Sequence, residues 1–162
     1  MNQTIFPPDS DLHHVIELNI SHLDSCIALD KLVLQGFWSK SHWEKELIDP
    51  QRLCIGIIQY SKLIAIASGW LVLNEVQLTL IEVHPKYRRK GFGQLVLSEL
   101  LCRAYELGIR SATLEVAIDN ESAKALYRKC GFEIVGLRRG FYKNGKDALM
   151  QTKKMPTEPN SP

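Results

Sequence analysis

At 162 residues the chain has the length of one domain and enough residues to bury a core without disulfide or metal staples. Its 20 Lys and Arg against 18 Asp and Glu leave a formal charge of +2, so bulk electrostatics argue for neither DNA nor a membrane surface as partner. Cys26, Cys54, Cys102 and Cys130 form no Cys-x-x-Cys pair, the histidines show no metal-ligand spacing, and no apolar run approaches the ~20 residues that span a bilayer; the expectation is reduced, buried, structural thiols, no metal, and a soluble cytoplasmic protein.

Met1 to Asp11 is polar, holds Pro7-Pro8 and reads as a flexible lead-in to one domain over 12–153. His14 to Asn19 alternates like a short strand. Ser21-x-x-Asp24 then resembles a capping box opening a helix that uses Leu23, Ile27, Val33 and Leu34 and stops at Gly36, and Ser41-x-x-Glu44 resembles a second box, for a helix ended by Asp49-Pro50. Between them Gly36-Phe37-Trp38-Ser39 places two aromatic rings in a helix–helix connection, where they either plug the core or face a ligand. Leu53 to Gln59 and Leu63 to Leu73 read as a hairpin around Ser61-Lys62, and Glu75 to Val83 alternates as the half-buried central strand. Glu75 reads as a solvent-facing turn acid or as a partner for a cationic peptide.

That strand runs into Val83-His-Pro-Lys-Tyr-Arg-Arg-Lys-Gly-Phe-Gly93 and then into a helix-like run from Gln94 to Leu107, capped at Gly108. Two glycines at a helix N-terminus let backbone N–H groups approach an anion, the helix dipole adds partial positive charge, and Arg88, Arg89 and Lys90 supply full charge beside them; taken alone, the turn is a phosphate cradle. A Walker loop would need Gly-Lys-Ser/Thr, which is absent. The dinucleotide fingerprint is half present as Gly91-Phe92-Gly93, and Glu115 even follows at about the expected distance, but Val96 stands where the third glycine belongs. A basic turn that only starts a helix is the remaining alternative.

Ser111 to Ile118 follows as a strand whose period of two puts Leu114 and Val116 on one face and Thr113, Glu115 and Ala117 on the other. Partly desolvated, Glu115 would accept a proton near neutral pH; paired with an arginine such as Arg138, it would be structural. Asp119-Asn120 caps a helix from Glu121 to Lys129 that stops at Gly131, and two turns put Asn120 and Tyr127 on one face. Glu133 to Leu137 and Asp147 to Lys153 read as closing strands around Asn144-Gly145, with Arg138, Arg139, Phe141 and Tyr142 in the loop, and the polar, proline-containing segment 154–162 reads as a flexible tail.

The run Arg88-Arg-Lys-Gly91-Phe-Gly93 resembles the Arg/Gln-x-x-Gly-x-Gly/Ala signature of the Gcn5-related N-acetyltransferase (GNAT) superfamily. With Leu114-Glu-Val, Asn120, Ala125-Leu-Tyr127, Gly131-Phe132, Arg138-Arg-Gly-Phe-Tyr142 and Asp147-Ala148-x-Met150, the resemblance is to the bacterial RimI-type ribosomal-protein-alanine N-acetyltransferases, over about residues 12 to 153. It implies a mixed α/β fold, about seven strands flanked by about four helices. It also implies acetyl-CoA as co-substrate, held by Ile81, Glu82, Val83, by Arg88, Arg89, Lys90, Gly91, Phe92, Gly93 and Gln94, and by Asn120. Glu115 would serve as proton acceptor and Tyr127 as proton donor, with Phe37, Trp38 and Tyr142 touching the acceptor. Glu82 departs from the family, which usually carries a small apolar residue there, and Phe37-Trp38 departs from a common Pro-Trp.

The implied reaction is attack of a neutral amine on the thioester. At pH 7 an α-amine of pKa about 7.8 costs about 1 kcal/mol to deprotonate, against about 4.6 kcal/mol for a lysine of about 10.4, so one glutamate base leans toward protein N-termini, by resemblance the alanine of a small-subunit ribosomal protein. The alternatives are a small-molecule amine as acceptor and a non-catalytic acyl-CoA-binding module.

Overall fold

Alternating β-branched runs become strands and 3.6-period runs become helices here because each buries its apolar side chains against the other. In a computed structural model that describes residues 12–156, the order is β1 (His13–Glu17), α1 (Leu23–Leu34), α2 (Lys40–Ile48), β2 (Arg52–Gln59), β3 (Lys62–Val72), β4 (Glu75–Val83), α3 (Phe92–Glu106), β5 (Ser111–Ala117), α4 (Glu121–Lys129), β6 (Glu133–Arg138) and β7 (Ala148–Lys154). One-turn 3-10 helices sit at Ile20–His22 and Pro85–Tyr87. The sheet runs β1-β2-β3-β4-β5-β7-β6, with β4 and β5 its one parallel pair and every other neighbour antiparallel. The expected seven-stranded mixed sheet with four helices is present.

Helices on both faces make two cores. On one, α3 lays Val96, Leu97, Leu100, Leu101 and Ala104 against Ile55 and Ile57 of β2, Val76 and Leu78 of β4 and Leu114 and Val116 of β5. On the other, α1 and α2 bring Cys26, Leu29 and Trp43 onto Cys54, Ile66 and Leu80. Each fully buried Leu, Ile or Val is worth roughly 1.5–3 kcal/mol of transfer free energy, which is why the sheet is covered on both sides where it positions the site.

Several local expectations shift. Asn19, not Ser21, organises the first helical entry: Ser21 N–H donates to Asn19 Oδ1 at 2.9 Å and Asn19 N–H donates to His22 Nδ1 at 3.0 Å. Ser39, not Ser41, caps α2, because Ser39 is the extended residue (ψ 163°) and its Oγ accepts from His42 N–H at 3.2 Å, while Ser41 is already inside the helix. The β2–β3 turn falls on Tyr60-Ser61, both with positive φ, and Gln59 pairs with Lys62. α3 starts at Phe92, two residues before the expected Gln94. Cys102 is exposed, unlike the other three free thiols, since it lies on the wet stripe of α3. Residues 1–11 and 157–162, the bulk of the expected flexible termini, lie outside the described residues; β7 continues through Lys154, and Met155 is buried in the core with its N–H donating to Arg110 O at 2.9 Å.

Candidate active site

One extra residue in β4 opens the sheet. The β3–β4 register steps from Gly69↔Leu78 to Ser68↔Leu80, leaving Thr79 unmatched, and such a bulge bends and twists the strand. It also exchanges the faces: Val76 and Leu78 lie under α3, whereas beyond Thr79 it is Leu80 that packs with α1 and α2 and Ile81 and Val83 that turn to the α3 side. Consequently β4 pairs with β5 only at Glu75↔Ser111, Val76↔Ala112 and Gln77↔Thr113. β3 still holds β4 to Val83 and β7 holds β5 to Ala117, so the strands part and leave a wedge between Ile81–Val83 and residues 114–117. Backbone groups on the facing strand edges are left without a ladder partner there. Glu75 lies at the closed end of the wedge rather than at its mouth, accepting from Thr113 Oγ1 at 2.9 Å and Gln77 Nε2 at 3.3 Å.

At the open end β4 delivers the chain to the glycine turn. Arg89 (φ 58°) and Gly91 (φ 85°) are both left-handed, which Gly91 adopts without strain and which swings the chain into α3. The first helical bond of α3 runs from Leu95 N–H to Gly91 O at 3.0 Å, so the N–H groups of Phe92, Gly93 and Gln94 precede the helical ladder and face outward. A Cβ on Gly91 would stand in open space, while one on Gly93 would come to 3.4 Å from Leu126 and 3.6 Å from Val83. These features fit a diphosphate: donors at a helix N-terminus, no side chain over Gly91, and basic residues around them. Arg88 is partly spent, its Nε donating to Val83 O at 3.2 Å, and Lys90 lies over the Tyr87 ring. The Phe92 ring turns away to His13 and Tyr87, so its contribution is its backbone. A groove of about 750 Å³ lies on that side, lined by His13, Tyr60, Lys86, Tyr87, Lys90 and Phe92 among others; it borders the turn but reaches neither Glu115 nor Tyr127.

On the β5 side of the wedge four predicted or neighbouring groups come together. Glu115 points away from the α3 core as its alternation requires, and Arg138 Nη1 of β6 stands 3.8 Å from its Oε1. The arginine partner foreseen as the structural alternative is thus present, although the pair is open to solvent. Tyr142, in the β6–β7 loop, has its phenol pushed up by burial and then by the Glu115 charge. Tyr127, half-buried on α4 with its ring against Phe132, is pushed up to about 12 by burial, then by Tyr142 and Cys130. Tyr142 is therefore close enough to Glu115 to feel its charge and close enough to Tyr127 to be felt by it, so all three groups gather on the β5 side of the wedge. Asn120 caps α4, its Oδ1 accepting from Ala123 N–H at 3.1 Å, which directs its amide nitrogen as the donor for a ligand.

The α1–α2 connection lies on the β4 side of the wedge, where Trp38 packs with the cluster that holds Leu80. Phe37 is 65 % exposed; Trp38 is half-buried, stacked on His42 (centroids 4.3 Å apart) and edge-on to Trp43 (4.8 Å). Both are held by a residue that the sequence reading missed. Asp30 of α1, 1 % exposed, accepts from Phe37 N–H (3.1 Å), Trp38 N–H (2.9 Å) and Trp43 Nε1–H (2.9 Å). Its signal was an acid four residues after Cys26 and three before Val33, on the buried stripe of its own helix. Glu82, expected among the strand residues that hold the cofactor, has a side chain that is also 1 % exposed and lies against Asp30. Glu46 of α2 completes the buried acids, accepting from Ser68 Oγ, with Arg52 Nε at 3.8 Å.

Residues 23–132 match the Acetyltransferase (GNAT) family. The chain belongs to that family. Among characterised proteins it is 36% identical over 116 residues to the N-alpha-acetyltransferase RimI of Mycobacterium tuberculosis, covering 68% of this chain and 72% of that one. It is 37% identical over 90 residues to the ribosomal protein bS18-alanine N-acetyltransferase of Haemophilus influenzae, covering 56% of this chain and 61% of that one; the match therefore spans about three fifths of the length of that relative. The crystal structure of the ribosomal-protein-S18-alanine N-acetyltransferase from Escherichia coli superposes with a TM-score of 0.83 at 26% identity, covering 92% of this chain and 97% of that one. This GNAT chain is an acetyltransferase, and no helix among its described residues is long and apolar enough to cross a membrane.

Proposed function

We propose that this GNAT enzyme transfers the acetyl group of acetyl-CoA to the N-terminal α-amine of a protein, the alanine of a small-subunit ribosomal protein being the favoured acceptor. The observation that carries the reading is the gathering of Glu115, Tyr142 and Tyr127 beside the wedge where β4 and β5 part, in a chain whose relatives are named for that reaction. Acetyl-CoA supplies the activated acyl group. The turn from Arg88 to Gln94 holds its diphosphate by backbone N–H groups and charge, with Asn120 alongside, and the free edge of Ile81–Val83 receives its arm and polarises the thioester carbonyl.

Glu115 takes the ammonium proton, directly or through water, and Arg138 keeps its carboxylate oriented. Tyr127, with a phenol that stays protonated to about pH 12, is equipped to donate to the departing thiolate. Phe37 and Trp38 form one side of the acceptor groove and Tyr142 the other. A base of this kind meets the small cost of deprotonating an α-amine more readily than that of a lysine, about 1 against about 4.6 kcal/mol at pH 7.

The test is mass-spectrometric detection of transfer to two peptides, one with a free N-terminal Ala and no lysine, the other blocked and carrying one lysine. Prompt α-acetylation supports the proposal, modification of lysine overturns the N-terminal assignment, and CoA binding with transfer to neither overturns the reading in favour of small amines or a binding module.

A further inference from the structure

The wall opposite Glu115 contains an acid with no base to meet it. Both carboxyl oxygens of Glu82 are buried and find no hydrogen-bond partner of the ordinary donor kind among the described residues. What they meet is Asp30, which already accepts three N–H bonds from Phe37, Trp38 and Trp43. All three bonds use Asp30 oxygens as acceptors. Two carboxylates can hydrogen-bond only if one of them carries a proton, and Glu82, to which no N–H donates, is the one free to take it.

We propose that Glu82 is protonated in the folded enzyme at neutral pH, donates its O–H to Asp30, and thereby acts as a positioning residue that ties the α1–α2 wall to the central strand beside the wedge. The protonation stands on the burial of Glu82 and the absence of any donor to its oxygens among the described residues; the positioning rests on the proposed function, in which that wall lines the acceptor groove.

The surroundings agree. Burial and then the neighbouring Asp30 push Glu82 up from 4.5 to about 8. The other titratable groups turned toward this spot are Cys26 of α1, pushed up to about 12 by burial and then by Glu82, Cys54 of β2, pushed well up by burial and then by Cys26, Glu46 and Glu82, and Glu46 of α2. These are two thiols and an acid, none a cation. β3 places Ile66 opposite Glu82 and directs Ser68 Oγ to Glu46 instead. The nearby basic side chains of Arg52 and His42 turn instead to Glu46, with Arg52 Nε 3.8 Å and His42 Nε2 3.9 Å from its Oε2.

As pH rises through about 8, Glu82 loses its proton and two anions face each other in a dry site, driving the Phe37–Trp38 wall from β4. The acceptor KM then rises, because the wall that shifts carries Phe37 and Trp38.

Infrared difference spectra of the whole protein read the proton directly. A carbonyl stretch of a protonated carboxylic acid is expected near pH 7, lost above about pH 8 and absent from Glu82→Gln. In kinetics, the ratio of the wild-type acceptor KM to that of Glu82→Gln, whose amide keeps a neutral donor toward Asp30, is expected to climb toward about tenfold per pH unit above the transition. Glu82→Ala, which lacks any donor, is expected to raise the acceptor KM at every pH with its circular dichroism retained. Absence of the infrared band, or its persistence in Glu82→Gln, overturns the protonation; a band with matching KM profiles overturns the positioning. Should neither peptide be acetylated, the proposed function fails while the infrared measurement still decides the proton.

Discussion

Glu115 and Glu82 sit on the two strands that part around the wedge and face the same side of the sheet, yet the protein treats them in opposite ways. Glu115 lies on a half-open wall opposite Arg138, with its side chain 33 % exposed, whereas Glu82 is 1 % exposed against a second acid. A carboxyl with a cation and water nearby remains available for proton exchange; one sealed against another carboxyl keeps its proton and becomes a hydrogen-bond donor. Under the proposed function, identical side chains thus serve on one wall for chemistry and on the other for posture.

The largest expected effect tests the chemical wall. Glu115→Gln and Tyr127→Phe should each lower turnover of the N-terminal-Ala peptide by about 10²- to 10⁴-fold with folding intact, and a loss of only a few-fold would remove them from the reaction. Next comes the postural wall. Asp30→Ala leaves three N–H donors without their acceptor and should cost about 3 kcal/mol or more in urea unfolding; a cost below about 1 kcal/mol would mean that the α1–α2 connection does not depend on it.

The pH dependence of stability separates the two glutamates. Because the folded pKa of Glu82, about 8, exceeds its ordinary 4.5, the folded state binds the proton more tightly. Its contribution is complete below 4.5 and is lost as pH rises through about 8, with a slope near 1.4 kcal/mol per pH unit inside that window. Glu82→Gln should flatten this component, and unchanged slopes would contradict the buried proton.

Smaller effects bound the comparison. Gly91→Ala should cost about 1–2 kcal/mol in stability, since φ is 85° there although the space is open, and should weaken CoA binding in calorimetry if the turn cradles a diphosphate. Arg138→Ala, breaking a solvent-open pair, should change stability by less than about 1 kcal/mol while altering the acceptor kinetics; a large unfolding shift would make Arg138 a structural anchor and narrow the contrast between the walls.

The amino-acid sequence by itself determined the elements and the places along them of the candidate site residues. Alternation in Glu75–Val83 and Ser111–Ala117 marked the two strands and put Glu115 on the face away from Leu114 and Val116, as observed. Gly91 and Gly93 at a basic helix start identified the turn, because left-handed backbone and helix N-termini are local properties written in a few adjacent residues. Tertiary structure alone decided what depends on partners far along the chain. The bulge at Thr79 is a mismatch between β3 and β4, invisible in either strand read singly. Arg138 reaches Glu115 only once β7 lies between β5 and β6. Asp30 and Glu82, 52 positions apart in the numbering, met only when α1 folded over β4 and excluded water from both; a protonation state is set by what surrounds a group in space, and only the fold supplies that.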